Sequence, residues 1–181
     1  MPPPWQDGNA TTQAVGSVPK ENMPLQRLPA LVPLSREHHF ALLLARGVQK
    51  GVSEHIRATL PSHPRALAEH ICKTYDEGLA GHFSDEEEVL MGAVRGQSVP
   101  LDAVCAEIVD EHTELRAMIA VLRTPATPIE ELEPLMDKFG KLLESHVRKE
   151  ERSLYTGVQE ALDEDGLRVL GEALEAARSR R

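Results

Sequence analysis

The sequence predicts an all-α protein, an antiparallel up-down-up-down four-helix bundle with a short C-terminal helix and an irregular N-terminal leader. Three observations predict it. Leu and Ala supply most of the apolar content while β-branched residues never cluster, which favours helix over strand. Apolar residues recur at helical spacing, as in Ile108, Leu115, Ile119 and Leu122. Proline and glycine divide the chain into four long segments with short connections, the pattern of an up-down bundle.

Residues 1–33 hold seven of the thirteen prolines and read as an irregular leader. The first helix is expected from Pro33 through Leu34, Ala41 and Leu42 to about Lys50, where Gly51 stops it. Ser62 and Pro64 suit the N-cap and first turn of a second helix reaching Val94. A third runs from Leu101 to Leu122 after the break at Gly96–Pro100. Thr127 and Glu130 have the form of a capping box for a fourth, ending near Leu162. Gly166 then sets off a short terminal helix, Leu167 to Arg178, and a basic tail. The domains are therefore the leader (1–33), the bundle (34–162) and the terminal helix with its tail (163–181).

Composition narrows the function. With 29 acidic and 20 basic residues the net charge is −9, which argues against nucleic acid or an anionic membrane as partner. Aromatic residues at 3% leave no base-stacking platform. Cys72 and Cys105 stand far apart and outside any paired metal spacing, as expected of two small apolar residues in a reducing cytosol. Neither a signal-peptide run nor a membrane span is visible, so a cytoplasmic location is expected.

Each long helix carries one histidine near its apolar face: His38, His82, His112 and His146. A single such histidine is ordinarily a satisfied core residue. Four, one per helix, are not readily explained that way. Two bring carboxylates: Glu86 lies one turn beyond His82, and Glu150 and Glu151 lie four and five residues beyond His146. Acidic runs are commonly solvated faces, which accounts for Glu87, Glu88 and one of Glu150 or Glu151. It does not account for both runs following an inward histidine. Imidazole suits iron, zinc and copper, and a carboxylate can bridge two cations about 3.5–4 Å apart. Zinc-finger and His-Glu-x-x-His spacings are absent, as is the Glu-x-x-His of ferritin-like sites.

Leu34-Ser35-Arg36-Glu37-His38, His82 through Leu90, Glu111-His112-Thr113-Glu114-Leu115 and His146 through Leu154 together resemble the hemerythrin-like HHE family. The resemblance implies an oxo- or hydroxo-bridged pair of non-haem iron ions inside the bundle. It also implies binding, sensing or handling of dioxygen, nitric oxide or iron. His38 would be the first ligand, with His39 the alternative; His82, His112 and His146 would be terminal imidazoles. Glu86 would be one bridging carboxylate and Glu151 the other, with Glu150 its competitor. Oxygen carriers of the family have a second histidine four residues after the third-helix ligand, where Arg116 stands here. Arg116 is expected to leave that position to water or to turn away toward Glu86 or Glu151. The family's frequent Phe-Pro is replaced by Met91-Gly92 and Tyr155-Thr156. No general acid or base stands out beyond the ligands, which favours a binding protein over a dedicated enzyme. Removal of peroxide or nitric oxide is the enzymatic alternative, and a metal-free interaction module the non-metal one.

Overall fold

The computed structural model describes residues 28–181, and every regular element among them is helical. A single 3-10 turn, Pro29–Leu31, leads into α1, Val32–Val48. A short α2, Glu54–Arg57, precedes the long α3, residues 64–94. Helix α4 is Val99–Leu122, α5 covers residues 129–161, and α6 is Glu164–Arg178.

The helix ends follow local chemistry, with two departures from expectation. The N-cap of α3 is His63 rather than Ser62, its Nδ1 accepting from the Arg65 amide at 3.2 Å. The Thr127/Glu130 capping box does not form, because the Thr127 hydroxyl donates to the Val121 carbonyl (2.9 Å) and closes the end of α4 instead. Ser98 caps α4 through the Leu101 amide. Gly51 and Gly96 adopt positive φ, +80° and +77°, at the turns after α1 and α3. The leader boundary at 33 falls too late: Leu31 is fully buried and Val32 is already helical. Residues 1–27 of the proposed leader lie outside the described residues.

Two apolar clusters make the core. One gathers Ala41, Leu44, Ile71, Phe83, Leu115, Met136, Leu143 and Val147. The other gathers Leu31, Leu34, Leu90, Ile108, Leu154, Val158 and, from α6, Leu170 and Leu174. Each long helix crosses from one cluster to the other, and each does so at a histidine or glutamate. On α1 the order is Leu34, His38, Ala41, and on α4 it is Ile108, His112, Leu115; α3 and α5 pass in the reverse sense, through Glu86 and Glu150. A polar layer is thereby sealed between two dry ones. No described helix is long and apolar enough to cross a membrane.

Candidate metal centre

His38, His82, Glu86, His112, His146 and Glu150 are all buried in that layer. Their donor atoms fall into two sets: His38, His82, Glu86 and Glu150, and Glu86, His112, His146 and Glu150. The shared residues are the two glutamates, each spanning the sets. Glu86 Oε1 lies 3.6 Å from His82 Nε2, while its Oε2 lies 3.4 Å from His112 Nε2. Glu150 Oε2 lies 3.1 Å from His38 Nε2, and its Oε1 lies 2.9 Å from His146 Nε2. Separations of roughly 3 Å are those of donors sharing one cation with bonds of about 2.1 Å.

Local helix geometry puts these groups there. Wide i→i+5 turns occur at Tyr75–Leu79, Asp85–Leu90 and Glu150–Leu154, the last two containing Glu86 and Glu150. Such turns inside α-helices recur at functional sites. Glu86 and Glu150 face inward one turn beyond His82 and His146. Their successors, Glu87 and Glu151, point about 100° further round, toward a neighbouring helix.

That rotation builds an outer ring. Glu37 of α1 accepts from His82 Nδ1 (2.8 Å), and Glu87 of α3 from His112 Nδ1 (2.7 Å). Glu111 of α4 accepts from His146 Nδ1 (2.8 Å), and Glu151 of α5 from His38 Nδ1 (2.8 Å), closing the circle. Each of the four long helices thus supplies one imidazole and the carboxylate that orients the next one's imidazole. Such a partner sets the tautomer and raises the basicity of the ligand.

The sequence-based preference for Glu151 is therefore corrected. The Glu151 side chain is 27% exposed and lies behind His38, whereas Glu150 is fully buried between the imidazole pairs. Glu87, read as part of a solvated face, orients His112. Arg116 turns away, one of the two outcomes allowed for it, but its partner is Glu87, through Nη1 at 2.7 Å, rather than Glu86 or Glu151. Phe83 stacks on His112 with centroids 3.9 Å apart and lies 5.6 Å from the Arg116 guanidinium, so its ring closes that side of the centre. His39 is exposed beside Phe40. Cys72 and Cys105 are free thiols outside both donor sets.

Tyr155 escaped sequence reasoning. Its buried hydroxyl donates to Glu86 Oε1 (2.7 Å) and stands 3.2 Å from His38 Nε2. Burial and the nearby Glu86 and Glu150 charges raise its pKa well above 10, so it remains a phenol. The available signal was a polar aromatic one turn beyond Glu151, in the place where the family often has phenylalanine.

Electrostatics agree with a cation site. Burial disfavours charge on His38, but the close Glu150 carboxylate and the hydrogen bond to Glu151 outweigh it and push the pKa up to about 10. For His146, burial is outweighed by Glu150 and Glu111, and the pKa rises to about 9. Burial likewise opposes charge on Glu150, yet His146, His112 and His38 hold its carboxyl well below the usual 4.5. Glu37, Glu87 and Glu111 are also held below 4.5, the bonds from histidine, arginine and lysine overcoming partial burial.

The fit to metal rests on orphaned atoms. Among the described residues the buried side-chain atoms without a hydrogen bond are Glu86 Oε2, His112 Nε2, His146 Nε2, both Glu150 oxygens and Thr156 Oγ1. Five of these six are donors of the two sets. Glu150 Oε1 and His146 Nε2 approach to 2.9 Å but off the line of a hydrogen bond. His38 Nε2 and His82 Nε2 face each other at 3.0 Å, and both Nδ1 atoms are already committed to carboxylates. A proton shared between them makes this contact a hydrogen bond in the metal-free chain, and a cation would take that proton's place. Leaving the orphaned atoms unsatisfied costs about 1–3 kcal/mol each, and a shared cation satisfies them together.

A family model described as the hemerythrin HHE cation-binding domain matches residues 33–158. The chain belongs to the hemerythrin HHE cation-binding family. The matched span contains every donor of both sets, and α6 lies beyond it. Comparison with curated proteins and with solved structures gave no match.

Proposed function

We propose that this hemerythrin-family protein holds two non-haem iron ions and uses them to bind, sense or handle dioxygen or nitric oxide. One observation carries the reading: Glu86 and Glu150 each turn one oxygen to the His38/His82 pair and the other to the His112/His146 pair. A nitrogen and oxygen donor set without thiolate suits iron. The up-down-up-down bundle belongs to the same reading, supported by the alternating sense in which the four helices cross the two apolar clusters.

In this reading the iron pair, when bound, supplies reversible redox chemistry and exchangeable positions for a small ligand. The chain does the rest. Glu86 and Glu150 neutralise part of the metal charge, and the outer carboxylates hold each Nδ1–H so that each Nε2 faces inward. Tyr155 keeps a proton at Glu86 Oε1, and the flanking apolar clusters exclude bulk water. Net charge of −9 and the metal layer's burial favour small neutral ligands over nucleic acid or membrane lipid. Two free thiols accord with a cytoplasmic setting.

Metal analysis of protein from iron-replete cells tests this. Two irons per chain are expected, with loss of both in Glu86→Ala. One tightly held zinc and no iron would overturn it. Tyr155 favours a second reading, an enzyme removing peroxide or nitric oxide, because a buried phenol beside the centre is a proton source. Peroxide consumption by the iron-loaded protein, lost in Tyr155→Phe with iron retained, distinguishes that reading.

A further inference from the structure

Helix α6 lies beyond the family-matched residues, yet it reaches the metal layer. Asp163 caps it through the Gly166 amide (2.8 Å), and Leu170 and Leu174 anchor it against the cluster that includes Leu31 and Leu90. That seat carries Arg178 across α1 and α3. Its Nη2 donates to Glu37 Oε2 at 2.8 Å and its Nε to Asp85 Oδ2 at 3.0 Å. Glu37 Oε2 is the same oxygen that accepts from His82 Nδ1. Asp85, whose side chain is only 4% exposed, directly precedes the bridging Glu86 and is also paired with Arg181. Arg181 packs on Gly81, where even a Cβ would collide with its guanidinium. A single guanidinium therefore holds both the carboxylate behind His82 and the residue beside Glu86.

The other side of the centre repeats the device from within the bundle. Arg116 donates to Glu87 Oε1, the oxygen that accepts from His112 Nδ1. Each imidazole pair thus has one histidine backed by a carboxylate that is itself backed by an arginine through the same oxygen. The two arginines come from different elements, α4 and α6.

We infer that Arg178 is a positioning residue for His82, and that α6 sets how tightly the ion on the His38/His82 side is held, separately from the ion on the His112/His146 side. The inference rests on the two-ion reading. Outer partners of metal-bound histidines typically affect affinity by about 10–100-fold. Arg178 acts one bond further out, so the lower end applies.

The test is iron release from the full-length ferrous protein to excess chelator, followed by absorbance. His82→Ala and His112→Ala identify which ion each release phase reports. Arg178→Ala is expected to speed the His82-side phase about tenfold and leave the other within twofold. Arg178→Lys, which keeps a cation for Glu37, should restore part of the difference. Arg116→Ala should speed the opposite phase. Leu174→Ala, which loosens the seat that delivers the arginine, should speed the same His82-side phase and leave the other within about twofold. Equal acceleration of both phases by Arg178→Ala, or a lowered Tm with both phases unchanged, would overturn the inference and leave the two-ion reading standing. A wild-type protein that binds fewer than two irons would overturn both.

Discussion

Glu150 and Glu151 are neighbours in the chain and yet meet different partners. Glu150 stands among three imidazoles and Glu151 behind one. On the two-ion reading, Glu150→Ala should abolish binding of both ions. Glu151→Ala should keep two ions per chain but weaken the one on the His38 side by about 10–100-fold. Metal titration of both variants checks this, and the opposite ranking would return the bridging role to Glu151. Tyr155→Phe removes the donor to Glu86 Oε1, a hydrogen bond to a charged group worth about 2 kcal/mol. Denaturant unfolding of the metal-free variant should show a loss of that order.

At the scale of elements, α1 and α5 pack at close range. A Cβ at Gly140 would collide with the Ala45 carbonyl oxygen and Val48. Gly140→Ala should cost about 1–3 kcal/mol through overpacking, more than the roughly 1 kcal/mol that alanine gains in helix propensity. A rise in Tm would show that the two helices can separate. The same pair is tied by Glu144, which accepts from Arg148 of its own helix, from Arg46 of α1 and from Gln49 just past the end of α1. Those bonds, Arg148 foremost, lower its pKa from 4.5 to about 2. The folded value lies below the unfolded one, so the stabilisation is complete above pH 4.5 and disappears as pH falls through 2. Thermal unfolding of wild type and Glu144→Gln should differ by a constant amount at neutral pH, with the gap closing between those limits. Thr127 shows why caps are hard to read from spacing: its hydroxyl had two possible clients, and the preceding helix took it.

For the whole molecule, the cost of the polar layer is shared by four helices that a cation would join. Binding only to the folded state stabilises by about 4 kcal/mol at a thousandfold excess over Kd, or roughly 10 °C in Tm for a chain of this size. Chelation should lower Tm by that order, and a melting curve indifferent to chelator would favour a metal-free module. Full burial of Leu31 against a cluster that contains Leu170 and Leu174 makes truncation position-dependent. Removing residues 1–27 should leave helicity and metal content intact, whereas extending the cut through Leu31 should lower Tm. Circular dichroism and metal analysis of the two truncations check this.

Helical class, the long apolar stripes and the histidine on each were legible in the sequence, because helix periodicity places residues on faces without reference to the rest of the fold. So was family membership, carried by His82 through Leu90 and His146 through Leu154. Tertiary structure decided what a face meets. Choosing Glu150 over Glu151 depends on where α1 and α4 place His38 and His112, which no local pattern encodes. Pairing Glu37 with His82, Glu87 with His112, Glu111 with His146 and Glu151 with His38 joins residues of different helices, and the 113-residue separation of the last pair carries no sequence signal. Arg178 reaches Glu37 for the same reason: two leucines seat α6, and only that seat brings its guanidinium to the carboxylate behind His82.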